Sequence, residues 1–204
     1  MKENLIKFSI NKFYYSDNYE NTEFGFISPI LKRRLSALDK MVLSALMGTY
    51  TDDIENLVFS SRYGEVDRLI KIISQYKETQ DASPNTFSGS VHNYPAGFFL
   101  MNIKKSIPYT AISACQNSIC AGLLSAVISD YENVLFCHAD VYGSQNYALA
   151  LNLSKFNKNN SQEFLIRIEN NIAPNDLSKK YVKLFSGETD ILKTPNYTIE
   201  RIKK

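Results

Sequence analysis

Residues 109–137 read YTAISACQNSICAGLLSAVISDYENVLFC, and the fold turns on how that run is parsed. Tyr109 to Ile112 is aromatic and β-branched, the composition of a short strand. Residues 113–115 make a sharp turn. From Cys115 to Tyr131 the apolar positions Ile119, Leu123, Ala126 and Val127 recur at helical spacing. Residues 134–137 then form a continuous apolar run, as in a strand buried on both faces. Strand, turn, helix and strand make a βαβ unit with a parallel pair and a right-handed crossover. The fold class that follows is α/β.

Working upstream, residues 57–59 predict a short buried strand running through Ser60 to Gly64 into an amphipathic helix with Val66, Leu69, Ile70 and Ile73 on one face. Ser83 before Pro84 marks another helix start. Residues 91–102 predict a largely buried helix that carries Pro95 and Gly97, with a kink. Ser36 and Asp39 have capping-box spacing ahead of a helix that Gly48 stops. Residues 5–13 alternate as a half-buried strand does, and 17–29 predict a loop. Downstream, 147–153 and 164–168 both alternate; with 157–161 between them they predict a hairpin, an antiparallel edge to the sheet. A last helix is predicted over 176–185. Residues 186–204 show no periodicity and are expected to be a tail on a single domain spanning 1–185.

The totals narrow the function classes. The chain has 204 residues, 44% of them hydrophobic, enough to bury a core without a metal or a disulfide. Its three cysteines are odd in number and widely spaced, which suits a reducing cytoplasm. With two histidines and no ligand spacing, no metal site is expected. The net charge of +2 and scattered lysines do not make a nucleic-acid face. No apolar run has signal-peptide or membrane-spanning length, so a cytoplasmic protein is expected.

Residues 83–141, SPNTFSGSVHNYPAGFFLMNIKKSIPYTAISACQNSICAGLLSAVISDYENVLFCHADV, resemble the nucleophile region of the β-ketoacyl synthases. Asn93, Ala96 and Gly97 match that family's Asn-containing helix, and Ala114, Cys115, Gln116, Asn117 and Ser118 match its turn. Phe59 to Gly64 resembles an earlier strand-to-loop stretch. The run Ser90, Val91, His92, Asn93 is similar to that of the short, chain-length-factor-like members of the aryl polyene type. The resemblance implies the N-terminal half of a thiolase-like fold, a mixed and mostly parallel sheet flanked by helices, with the C-terminal half lacking. It implies pairing with a full-length ketosynthase in fatty acid, polyketide or aryl polyene synthesis, or a homodimer when the partner is missing. It implies no cofactor of its own, since the growing chain is held as acyl-phosphopantetheine on acyl carrier protein.

Cys115 takes the nucleophile position by this resemblance. Spacing alone favours a buried structural cysteine, although unpaired N–H groups and the dipole at a helix start also suit a thiolate. The family's two catalytic histidines belong to its second half, and neither His92 nor His138 stands in their sequence context. His138 with Asp140, at a C-terminal strand end, leaves open a Cys115–His138–Asp140 constellation and a cysteine-dependent acyltransferase or thioesterase. Ala121, Gly122 and Ala126 are expected to allow close packing at a dimer seam, with Asn93 and Gln116 as further interface or tunnel candidates. The basic triplet Lys32, Arg33, Arg34 leaves open a stand-alone acyl-carrier-protein binding module. The sequence departs from the family at three places: Gln116 lies one residue after the place where silent subunits carry glutamine, Ile107-Pro108 stands for Gly-Pro, and Cys137, His138 and Ala139 replace glycines.

Overall fold

The computed structural model describes residues 5–18, 25–143, 145–155, 162–171 and 176–202. In chain order the elements are β1 (Leu5–Ser16), α1 (Pro29–Lys32), α2 (Ala37–Thr49), β2 (Asn56–Ser60), α3 (Val66–Thr79), α4 (Pro84–Ser88), α5 (Tyr94–Asn102) and β3 (Tyr109–Ile112). A 3₁₀ turn at Cys115–Asn117 follows, then α6 (Ser118–Ile128), β4 (Asn133–Tyr142), β5 (Gln145–Ser154), β6 (Gln162–Ile168), α7 (Leu177–Ser186), β7 (Ile191–Lys193) and β8 (Tyr197–Arg201).

All eight strands form one mixed sheet in the order β3-β2-β4-β5-β1-β6-β8-β7. The predicted βαβ unit is present: β2 lies between β3 and β4 and runs parallel to both. Period-two alternation then sorts the core. Val58, Val134, Phe136, Leu149 and Leu151 face α6 and α7. Their neighbours Leu57, Phe59, Leu135, Cys137, Ala148 and Ala150 face α2 and α5. Small residues on the second face of β5 let α2 lie close. A register shift between Ile10 and Lys12 turns β1, so that Phe13 rejoins the α7 face against Phe185.

Four expectations need correction. The sheet is mostly antiparallel, because every pairing beyond β4 has that sense. Residues 147–153 and 164–168 are not partners: β5 pairs with β4, Tyr142 lying opposite Gln145 and Gly143 taking a left-handed φ of +60°, and β1 occupies the gap between β5 and β6. The predicted hairpin turn at 157–161 lies outside the described residues. The expected tail carries β7 and β8, which bury Leu192, Tyr197 and Ile199. Finally, α5 begins at Tyr94, after His92; Pro95 falls in its first turn, where a missing N–H costs nothing, so no kink is needed.

Candidate site at the Cys115 elbow

The strand β3 ends at Ile112, and the chain reverses into α6 through Cys115 in the left-handed region at φ +50°. That conformation disfavours any residue with a Cβ, so the surroundings must hold it. Ser118 does: its Oγ accepts from the backbone N–H of Ala114 at 2.9 Å and donates to the carbonyl of Cys115 at 2.8 Å. Cys115 therefore stands on a bend before the helix, and α6 proper starts three residues later at Ser118. Its thiol is exposed, whereas Cys120 and Cys137 are buried. The structural reading of Cys115 as core is thereby overturned.

Cys115 lines a cavity of about 290 Å³ together with Gln116, Asn117, Arg62, His138 and Asp140. The far wall comes from Tyr147 on β5 and Ser178 on α7. These walls are polar and tied together. His138 Nδ1 meets Ser60 Oγ at 2.9 Å, and its Nε2 meets Tyr147 Oη at 2.9 Å. Tyr147 Oη also accepts from Ser178 Oγ at 2.6 Å and donates to Asp140 Oδ2 at 3.3 Å. The other oxygen of Asp140 accepts from Ser61 Oγ at 2.7 Å and from the backbone N–H groups of Arg62 and Tyr63 at 2.8 and 3.1 Å.

Electrostatics follow from that burial. His138 is 2% exposed, and desolvation pulls its pKa down to about 4, against the opposing pull of Asp140. It is a neutral imidazole at neutral pH. Burial, with Asp140 nearby, pushes the Tyr147 phenol up, so Tyr147 keeps its proton. Cys137, on the opposite face of β4, is likewise held as a thiol by burial.

The constellation Cys115–His138–Asp140 is thus gathered around one cavity but not wired as a relay. Both ring nitrogens of His138 are engaged by Ser60 and Tyr147, and among the described residues no hydrogen bond joins its ring to the Cys115 thiol. Asp140 Oδ2 lies 3.5 Å from His138 Nε2, with Tyr147 shared between them. A general base must reach the proton it takes, and this imidazole has no free nitrogen for that work.

Residues 9–171 match the family described as the β-ketoacyl synthase N-terminal domain. The chain belongs to that family. Among solved structures it is similar to one titled as a ketosynthase (ApeO) in complex with its chain length factor (ApeC) from Xenorhabdus doucetiae, with a TM-score of 0.71 at 18% identity over 88% of this chain and 84% of that one. It is also similar to the ishigamide ketosynthase/chain length factor, with a TM-score of 0.60 at 12% identity over 84% of this chain and 60% of that one. Nothing matches among curated protein sequences. The thiolase-like architecture expected from the nucleophile region is therefore the architecture of this β-ketoacyl synthase domain.

Other candidates fall away from the cavity. Asn93 is exposed and donates to Tyr109 Oη at 3.3 Å. His92 packs on Phe59 and meets the carbonyl of Ile112 at 3.2 Å, on the other side of β3. Gly122 and Ala126 are buried within the chain, so their small size serves packing of α6 on the sheet and not a seam between chains. A Cβ on Gly122 would stand 2.6 Å from Ser60 Oγ and 2.8 Å from Phe136. Ala121, next along α6, is half-buried.

Sequence reasoning missed Tyr147, Ser178, Ser60 and Ser61. For Tyr147 the signal was present: a Gly-Ser pair stands in the sequence between the two strands, and the pairing that puts Tyr142 opposite Gln145 sets Tyr147 opposite Asp140. No comparable local signal marks Ser178, which arrives through the packing of α7.

Proposed function

We propose that this chain is a ketosynthase-like subunit of the chain-length-factor kind, pairing with a full-length ketosynthase and helping to shape the space in which a carrier-bound acyl chain grows. One observation carries this reading: Cys115 is presented on an elbow at a cavity whose imidazole is buried, neutral and spent on Ser60 and Tyr147. A thiol that no described imidazole meets by a hydrogen bond suits a partner of a catalytic subunit better than a self-sufficient enzyme. The likeness to two structures titled as ketosynthases with chain length factors supports the same reading. So does α3, which buries Ile72 but leaves Leu69, Ile70, Ile73 and Tyr76 about half exposed, an apolar stripe of the sort that partners cover. On this reading the protein acts in the cytoplasm, with no cofactor of its own, on acyl-phosphopantetheine held by acyl carrier protein, and it forms a homodimer when its partner is missing.

Co-expression with the co-encoded ketosynthase tests the proposal. The two chains should co-purify, and Cys115→Ala should leave both pairing and elongation by the partner intact. A chain that stays monomeric beside every co-encoded ketosynthase overturns it. The second reading, a cysteine-dependent acyltransferase or thioesterase, is favoured by the exposure of Cys115 in a cavity shared with His138 and Asp140. Incubation with acyl-carrier thioesters distinguishes the two: acylation followed by hydrolysis by this chain alone, lost in Cys115→Ala, establishes the second.

A further inference from the structure

Helix α7 has two working faces. Leu177, Tyr181, Leu184 and Phe185 are buried in the core. The opposite side carries Lys179, Lys180 and Lys183, which line a hollow of about 500 Å³ together with Lys193 and Ile191 from β7. Amphipathicity accounts for three lysines being in water, and Lys183 in the last turn also complements the helix dipole. Neither accounts for a fourth lysine brought to the same hollow by a different element.

Counter-charge is scarce there. Asp176 meets Lys179 at 3.4 Å, with both side chains mostly exposed. Among the described residues Lys180, Lys183 and Lys193 make no ion pair, although Lys193 contributes to the field on Glu169. Ile191, 56% exposed, supplies an apolar surface among the ammonium groups. A cluster of like charges around an apolar floor is unfavourable to itself and attractive to an acidic, amphipathic surface.

Position gives the cluster a use. Asp176 lines both this hollow and the Cys115 cavity, and the next two residues of α7, Leu177 and Ser178, form a wall of that cavity. We infer that the lysine face of α7 and β7 docks an acidic protein, whose carboxylates meet the lysines and whose apolar side chain covers Ile191, so that its cargo comes to lie beside Cys115. The nature of the cargo, a thioester-bound chain, rests on the function proposed above; the docking face does not.

Binding of fluorescently labelled acyl carrier protein to the full chain, followed by anisotropy at low and high salt, tests this. Binding should weaken with salt. The triple variant Lys179→Glu, Lys180→Glu, Lys183→Glu should lose about tenfold or more in affinity, and neutralisation of the same residues to Gln should lose less. All three are exposed, and an unchanged thermal melt confirms folding. Equal affinity in wild type and both variants overturns the inference, as does loss confined to Lys32→Glu, Arg33→Glu, Arg34→Glu. Displacement of the carrier protein by millimolar pyrophosphate, with the isolated anion protecting the lysines from acetylation equally well, also overturns it in favour of a small-anion site. Co-purification with the ketosynthase is scored separately on the triple variant. Pairing that persists while carrier binding is lost supports the docking face, whereas absent pairing in wild type strikes the proposed function alone.

Discussion

The buried His138 predicts a pH dependence of stability with a defined sign. Its pKa falls from 6.5 to about 4 in the folded chain, so the unfolded chain takes up a proton that the folded one refuses. The contribution is intact above about pH 6.5 and is lost as pH falls towards 4. At about 1.4 kcal/mol per pH unit, the full loss is about 3 kcal/mol, and about 2 kcal/mol of it has gone by about pH 5. Glu65 works in the opposite direction. Burial, and then its neighbour Asp39, raises its pKa from 4.5 to about 8, so it favours the folded state increasingly as pH drops through that window. Between about pH 6.5 and 5 the two effects largely cancel, and the wild type should show a flat profile. The informative comparison uses Glu65→Gln, which mimics the protonated acid, with and without His138→Gln. Urea unfolding should show Glu65→Gln losing about 2 kcal/mol between about pH 7 and pH 5, and the double variant losing well under half of that. Parallel profiles in the two variants would mean that His138 titrates freely, and the case against it as a base for Cys115 would fall.

Three further outcomes follow from the same geometry. Iodoacetamide should alkylate Cys115 in the folded chain while buried Cys120 and Cys137 resist, and peptide mapping with Cys115→Ala as control checks this. Gly122→Val should cost about 1–3 kcal/mol in urea unfolding, because the added carbons meet Ser60 and Phe136 under α6, and it should shift the His138 imidazole resonances through Ser60. Arg68 pairs with buried Asp39, and Glu65, 3.3 Å away, is already largely protonated at neutral pH; Arg68→Met should cost about 3–5 kcal/mol at neutral pH, by leaving Asp39 unpaired, and less in acid, where Asp39 can protonate as well.

The parts of the fold that sequence could specify were local ones. The βαβ unit was legible because each of its elements has its own period and the connection between parallel strands allows few routes. Ser36 and Asp39 do form the capping box that opens α2. Strand pairing beyond that unit was not legible, since alternation shows which face of β5 or β6 is buried without naming the neighbour. The insertion of β1 between them is a long-range choice made by the whole sheet. At the site, the resemblance placed Cys115 at the turn, but its left-handed backbone and exposure belong to the three-dimensional bend that Ser118 holds. Period two places Asp140 alongside His138 on one face of β4. What it could not deliver was Tyr147 between them.

The polar network behind Cys115 explains why a histidine can sit in this cavity without serving chemistry. Ser60 belongs to β2, His138 and Asp140 to β4, Tyr147 to β5 and Ser178 to α7, so the hydrogen bonds around one imidazole join three neighbouring strands to the helix that forms the cavity wall. Such a network is stable when every member is satisfied, and removing His138 from it to accept a proton would break the bond of the buried Ser60 hydroxyl to the ring and one of the three made by Tyr147. The cost of using His138 as a base is therefore the cost of loosening the scaffold that positions α7 beside the elbow. A site built this way keeps its shape by withholding its imidazole, so any acyl transfer at Cys115 requires a base other than His138. That requirement links the elbow, the exposed stripe on α3 and the lysine face of α7 to a single expectation: the cavity is completed by other proteins.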